Sequence, residues 1–344
     1  MKFDVSPAPH APPIVSVPVV MRRVLYALAP AAAAHVWYFG SGILINFAIA
    51  AAFALLGEAL VLHLRKRPTR VALNDGSALV TAALLAFAIP PLTPWWVPAF
   101  GAASAVVLAK HLYGGLGKNL FNPAMVGYAL LLLSFPVEMT QWIPPRMGDL
   151  DYQHLSLLAN VNYSLTGRLP VDVAIDALTR ATPLDTVKEG LRAARSFEEL
   201  RARSLFGDFG GRGWEWINNY IALGGLYLLY VGVIRWHIPV AVFCGILGPA
   251  TLLYLIDPTR FPSPGFHLFS GAAMLGAFFI ATDPVSATES VRGRLIYGAG
   301  IGLLTYSIRT WGGYPDGLAF AILLMNAAVP LIDRYTRPRI YGRN

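Results

Sequence analysis

The sequence predicts an all-α integral membrane protein: about ten transmembrane helices in two inverted five-helix repeats, with one long extracytoplasmic loop. Three observations carry that expectation. Of the 344 residues, 56% are hydrophobic and only 13% charged, against about 25% charged in a soluble domain. Mean hydropathy is +0.53. Apolar runs recur with basic residues between them, and two stretches repeat at an almost constant offset.

The ten apolar segments are 21–38, 42–64, 76–89, 95–113, 123–135, 217–236, 239–256, 268–281, 295–308 and 317–332. Each suits a span, or an interrupted span, of about 20 residues. Several are short and begin or end at Pro or Gly, which in this composition predicts tilted or broken membrane helices. Basic residues orient them. Arg22 and Arg23 precede the first segment, and Arg65, Lys66, Arg67 and Arg70 follow the second. Lys110 and Lys118 follow the fourth, Arg235 the sixth, and Arg292 and Arg294 the eighth; Arg334, Arg337, Arg339 and Arg343 end the chain. All fall on one side if both termini are cytoplasmic. The short opposite loops hold only Arg260 and Arg309. The net charge of +8 therefore reads as membrane orientation and not as a nucleic-acid footprint. The chain divides into a first membrane half, 1–135, an extracytoplasmic loop, 136–216, and a second membrane half, 217–344. Its first residues are polar and Pro-rich, without the charged-then-apolar pattern of a signal peptide.

Ser77-Ala-Leu-Val-Thr and the later Phe87-Ala-Ile-Pro-Pro91 lie over Ser270-Gly-Ala-Ala-Met and Ile280-Ala-Thr-Asp-Pro284 at an offset of 193. Pro123-Ala-Met-Val-Gly-Tyr-Ala-Leu-Leu-Leu lies over Pro315-Asp-Gly-Leu-Ala-Phe-Ala-Ile-Leu-Leu at 192. Small-residue apolar helices resemble one another by composition, but two matches at nearly one offset point to duplication. Five spans per half is an odd number, so the halves run in opposite senses. A site is then expected at their interface near mid-membrane.

Chemistry is narrowed by what is scarce. One cysteine, Cys244, excludes disulfides, Cys-rich zinc sites and iron–sulfur clusters within this chain. The histidines (10, 35, 63, 111, 154, 237 and 267) show no ligand spacing. Redox chemistry here would use an organic cofactor. The long loop carries Asp176-Ala-Leu-Thr-Arg-Ala-Thr182 followed by Pro183-Leu-Asp185. This resembles the acceptor sequence of a flavin transferase, Asp-x-x-(Ser/Thr)-Gly-Ala-Thr, with Arg180 in place of Gly. That enzyme ties FMN through its phosphate to the last Thr, here Thr182. Pro183 suits the first position of a helix and puts Thr182 at the N-cap. Leu184, Val187 and Leu191 follow at helical spacing, and an esterified phosphate would lie at the positive end of that helix. Thr-Pro-Leu-Asp is equally an ordinary helix start. A second cap pattern begins at Ser196 with Glu199. A similar run, Asp283-Pro-Val-Ser-Ala-Thr288, is one residue short and falls on the cytoplasmic side.

Gly114-Gly-Leu-Gly-Lys-Asn-Leu-Phe-Asn-Pro-Ala-Met-Val-Gly-Tyr128 resembles the RnfD family, the D component of the Rnf complex, which is the bacterial ion-translocating ferredoxin:NAD oxidoreductase. The likeness continues through Glu58–Pro68, Ser134–Thr140, Ala181–Lys188 and Thr282–Thr288 and covers nearly the whole chain. The NqrB component of the sodium-pumping NADH:quinone oxidoreductase is a sister family. It has an N-terminal extension missing here and a shorter extracytoplasmic loop.

The resemblance implies a covalent FMN on Thr182 and a second, non-covalent flavin, riboflavin, in the membrane half-helices. It implies electron relay in a pump for Na⁺ or H⁺, in the bacterial inner membrane, with the flavin loop periplasmic. Partners would be lipid, iron–sulfur and flavin subunits of the complex, and the flavin transferase that matures it. Asn119, Asn122 and Asp283 are the candidates for riboflavin, because buried amides and a carboxylate suit ribityl hydroxyls or an imide edge. Asn-Pro and Asp-Pro also simply start and stop helices.

Glu58, an intramembrane carboxylate, is either an ion or proton ligand or a group reaching the cytoplasmic interface or a neighbouring subunit. Lys110 and His111 read as interface anchors. Trp95, Trp96, Trp142, Trp214, Trp216 and Trp311 read as an aromatic belt. A secondary transporter or channel is the rival reading, since inverted repeats and broken helices serve it equally. A flavin acceptor on Thr182 separates the two.

Overall fold

A computed structural model describes residues 16–146, 155–170, 173 and 178–336. Asp176 and Ala177 of the flavin motif, His10, His154, and Arg337, Arg339 and Arg343 lie outside those residues. The described residues are helical and contain no strand, only an isolated bridge between Phe206 and Gly211. Four helices are long and apolar enough to cross a membrane: Val17–Phe39, Gly42–Leu64, His237–Ile256 and Leu318–Thr336. The chain is an α-helical membrane protein.

The other predicted segments are helical too, but with shifted ends. Val291–Trp311 extends its segment both ways, started by Ser290, whose hydroxyl accepts the Gly293 N–H at 2.9 Å. The sixth segment begins earlier, at Trp214, after Gly213 turns the chain at φ +75°. Ser77–Ala88 and Pro123–Ser134 have 12 residues each. At about 1.5 Å per residue each covers only about 18 Å, short of a bilayer core of about 30 Å. Two stretches loosen into π-helical turns: Ala105–His111, continuing Trp96–Ser104, and Gly276–Ile280, continuing Ala273–Leu275. The eighth segment, 268–281, is not one helix. Pro264–Phe269 stops, the chain turns through Gly271 at φ +64°, and helix resumes at Ala273.

Side chains from unbroken helices satisfy these interruptions. Asn46 Nδ2 donates to Pro90 O at 2.9 Å, and Thr93 Oγ1 donates back to Asn46 Oδ1 at 3.0 Å. Asn218 Nδ2 donates to Phe269 O at 3.1 Å and Gly271 O at 3.3 Å. Asn326 Oδ1 accepts the Asn122 N–H at 3.1 Å, while its Nδ2 donates to Ser286 O at 3.1 Å. All three asparagines are buried.

The main packing pairs are Val17–Phe39 with Trp214–Tyr230, Gly42–Leu64 with Ser77–Ala88 and Trp96–Ser104, Val291–Trp311 with Leu318–Thr336, and His237–Ile256 with Val291–Trp311. The last pair is close because Gly245 and Gly302 let the backbones touch. A Cβ on Gly302 would lie 2.2 Å from Val242 O, whereas one on Gly248 meets nothing within 4 Å. Gly302→Ala is therefore expected to cost about 1–3 kcal/mol by forcing the helices apart, while Gly248→Ala is neutral or mildly stabilising. Melting of the two variants in detergent checks this, and equal midpoints would show that the contact yields without cost.

Candidate functional site

The loop is anchored by a short helix, Pro183–Arg192, that buries Leu184 and Val187 against Phe197, Phe206 and Phe266. Thr182 is its N-cap. Thr182 Oγ1 accepts the Asp185 N–H at 3.2 Å and donates to Asp185 Oδ2 at 2.6 Å, and Thr182 N donates to the same oxygen at 3.1 Å. Pro183 fills the first position, where no N–H is needed. The helix is clamped to the membrane part from its far side. Lys188 Nζ donates to Ile308 O at 3.2 Å, Arg309 O at 3.3 Å, and Tyr314 O, so a loop cation closes the carbonyl end of Val291–Trp311. Burial, with help from the Arg192 guanidinium, lowers the Lys188 ammonium to a pKa of about 8; Asp185 opposes this. Ser196 starts the next helix by accepting the Glu199 N–H at 3.2 Å.

Thr182, Pro183, Leu184 and Asp185 border a cavity of about 300 Å³ that reaches between the membrane helices. Its wall is apolar and aromatic, with Phe87, Tyr128, Trp142, Trp214 and Tyr314. Trp142 and Trp214, read from sequence as belt residues, pack edge to face at 4.9 Å on this wall. Two polar side chains on it, His35 and Asn218, are each only 2% exposed. Neither stands out in the sequence. The shorter run ending at Thr288 is different: Thr288 is buried, does not line this cavity, and precedes the helix cap at Ser290.

Asn119, Asn122 and Asp283 come together from distant parts of the chain on a second cavity of about 110 Å³, which Ser77, Thr81 and Lys110 also line. Asn122 caps Pro123–Ser134, accepting the Met125 N–H at 3.3 Å, and its Nδ2 donates to Ile280 O at 3.4 Å. Asn119 Nδ2 donates to Phe121 O at 3.1 Å. Asp283 accepts from Val285 N at 3.2 Å and Ser286 Oγ at 2.9 Å. The two cavities lie one beyond the other along Ser77–Ala88: Ser77 to Leu84 face the second, Phe87 and Ala88 the first.

The sequence pattern of the NQR2, RnfD, RnfE family matches residues 4–342. The chain belongs to that family. Among its relatives, the D component of an ion-translocating oxidoreductase complex from Aeromonas salmonicida is 50% identical over 345 residues, covering 99% of both chains. The counterpart of the same name in Vibrio cholerae is 49% identical over 349 residues, covering 99% of this chain and 100% of that one. That of Alcanivorax borkumensis is 52% identical over 344 residues, covering 99% and 97%.

This family member also buries a charge cluster, two members of which, Lys110 and His111, the sequence reading places at the interface. Glu58 is 0% exposed. Its Oε1 meets Lys110 Nζ and, at 3.1 Å, His111 Nε2. Lys110 donates onward to Ser77 Oγ at 2.7 Å, and Ser77 in turn donates to Asp75. Lys110 and His111 are thus core groups, brought inward by the π-helical turn Ala105–His111. Lys110→Met would leave the buried Glu58 carboxylate with His111 alone and is expected to cost about 3–5 kcal/mol. Combining it with Glu58→Gln should recover much of that loss. A double-mutant cycle on detergent unfolding measures the coupling, and additive losses would refute the pairing.

Proposed function

We propose that this chain is a membrane flavoprotein subunit of a redox-driven, ion-translocating oxidoreductase. It relays electrons through an FMN joined by its phosphate to Thr182 and through riboflavin in the second cavity, within a complex that moves Na⁺ or H⁺. It is not catalytic alone. The relatives' name, the D component of an ion-translocating oxidoreductase complex, supports the class. The observation that carries the flavin reading is the placement of Thr182: one hydroxyl is both the helix cap and the border of a buried aromatic cavity.

The residues fit the group. The volume stands at the lower end of the roughly 300–1,000 Å³ typical of small-molecule sites. Indole and phenol rings offer stacking faces. Two buried side chains on the wall, His35 and Asn218, carry polar atoms without a partner on another of the described residues. The backbone N–H groups that open Pro183–Arg192 favour a phosphodiester at Thr182. Esterification removes the proton that Thr182 Oγ1 gives to Asp185, while Thr182 N still holds that carboxylate. When bound, the flavin supplies one- and two-electron transfer; the chain's part is to hold it, exclude water and keep Lys188 clamping the helix that bears it. Asn119, Asn122 and Asp283 would hold the riboflavin by hydrogen bonds.

The arrangement of halves belongs to the same proposal: ten spans as two inverted sets of five, 1–135 and 217–344, with the loop 136–216 between them. Both termini lie in the cytoplasm and the loop in the periplasm of a bacterial inner membrane. Packing supports it. Val17–Phe39 lies against its proposed counterpart Trp214–Tyr230, and Pro123–Ser134 against Leu318–Thr336, as counterparts beside a two-fold axis would. Iron–sulfur and flavin subunits supply the rest of the electron path, and a flavin transferase matures the loop.

Protein co-expressed with the transferase should fluoresce as a flavin band on a denaturing gel, with FMN less one water on the peptide containing Thr182. Thr182→Ala should lose the band yet remain folded. An unmodified peptide in mature wild-type protein overturns the reading. For the second site, Asn122→Ala or Asp283→Ala removes a buried hydrogen-bond partner, about 1–3 kcal/mol, so flavin affinity falls roughly tenfold to a hundredfold. Flavin released by acid precipitation should fall relative to the covalent flavin. Full release from both variants would assign these residues to helix capping alone.

A further inference from the structure

Beyond Thr182, the first cavity is bordered by two buried side chains with polar atoms that have no partner on another of the described residues. His35, on Val17–Phe39, is buried; neither ring nitrogen has a hydrogen-bond partner on another of the described residues. Its neighbours are rings, Phe39 at 5.0 Å and Phe87 at 6.0 Å between centroids. Asn218, on Trp214–Tyr230, spends its amide nitrogen on three carbonyls: Trp214 O at 3.1 Å, Phe269 O at 3.1 Å and Gly271 O at 3.3 Å. That surround fixes which amide atom is nitrogen. Asn218 Oδ1 is left buried and unpartnered among the described residues. Both side chains border the cavity. Thr182 and Asp316, also on this wall, are engaged: Thr182 with Asp185, and Asp316 with Arg309, Ala272 N and Leu318 N.

Orphaned polar atoms in an apolar wall are costly unless a ligand completes them. The free atoms are one acceptor, Asn218 Oδ1, and one imidazole, which when neutral supplies a donor and an acceptor. The pyrimidine edge of an isoalloxazine offers the complement: a single N3–H between two carbonyl oxygens. We infer that Asn218 and His35 grip that edge of the covalent flavin, Asn218 accepting N3–H and His35 donating to a ring carbonyl. The inference rests on the flavin at Thr182 and names the residues that set its orientation and potential.

The test uses the flavinylated protein and reads the midpoint potential of the covalent flavin by spectroelectrochemistry. Reduction makes the ring carbonyls better acceptors and N3–H a poorer donor. His35→Phe keeps the aromatic packing and leaves no protein group unpaired. It should weaken the preference for reduced flavin roughly tenfold, lowering a two-electron midpoint by ~30 mV. His35→Gln, which keeps a donor, should restore most of it. Asn218→Leu should move the midpoint the opposite way. Because Asn218 also supports the backbone at Gly271, wild-type protein supplied with N3-methyl flavin gives a second measurement. It should refuse that flavin, or shift its midpoint from the free-flavin value differently from the way it shifts ordinary flavin. A wild-type protein without covalent flavin would overturn the proposed function. Covalent flavin present, with the potential unmoved by His35→Phe and the N3-methyl analogue held like the normal one, would overturn this inference alone.

Discussion

Backbone that leaves the helix inside a hydrocarbon slab must find its hydrogen bonds in protein, since no water is there to supply them. Most of this molecule's particular features answer that one demand. The breaks after Ala88, before Pro123, around Gly271 and after Ala281 bring polar backbone into the interior, and single amides on continuous helices meet it. Asn326 serves two breaks at once, accepting from Asn122 and donating to Ser286. That double role ties the turn before Pro123–Ser134 to the break that follows Ala281. The same breaks open the space in which both cavities lie, so the need to satisfy backbone and the capacity to bind a cofactor arise together.

Gly271 shows how tightly the parts converge. It takes a left-handed conformation, and a Cβ there would sit 2.3 Å from Asp316 Oδ2 and 2.6 Å from Leu184 Cδ1. On one side Arg309 bonds Asp316, His267 O and Ser270 O, holding the interrupted chain to Val291–Trp311. On the other, Leu184 brings the loop helix down onto the break. With Lys188 capping the same membrane helix, the loop is fixed to the membrane part at two points just beyond Thr182.

Local signals were legible in the sequence. Thr182 is the N-cap that the pattern predicts, with Pro183 at the first position, and Leu184 and Val187 face inward as their spacing implies; the return bond from Asp185 came only with the fold. Gly and Pro marked the interruptions, and Asn119, Asn122 and Asp283 share a cavity. What stayed hidden depends on partners far away in the chain. Nothing local pairs Glu58 with Lys110, 52 residues on, and a π-helical turn that swings Lys110 inward leaves no pattern of its own. Trp142 and Trp214 look like any membrane-boundary indoles until the fold packs them edge to face. A fainter clue lies in lone amides inside apolar runs, such as Asn46 in Ile43-Leu-Ile-Asn-Phe and Asn326 in Leu324-Met-Asn-Ala. Such groups persist in hydrocarbon only when they have work to do.

The π-helical turn Gly276–Ile280 has Phe278 and Phe279 on one cavity and Ile280 on the other. Two chambers therefore share a partition a single turn thick. Neighbouring residues on one strip of backbone cannot be tuned independently, so a change of bulk at any of them alters both rooms together. A π turn also carries one residue more than an α turn would. Deleting that residue would rotate everything beyond it by about 100°, and the side chains now facing one room would turn toward the other. The partition is thus a register as well as a wall, and its length in residues is as constrained as its chemistry.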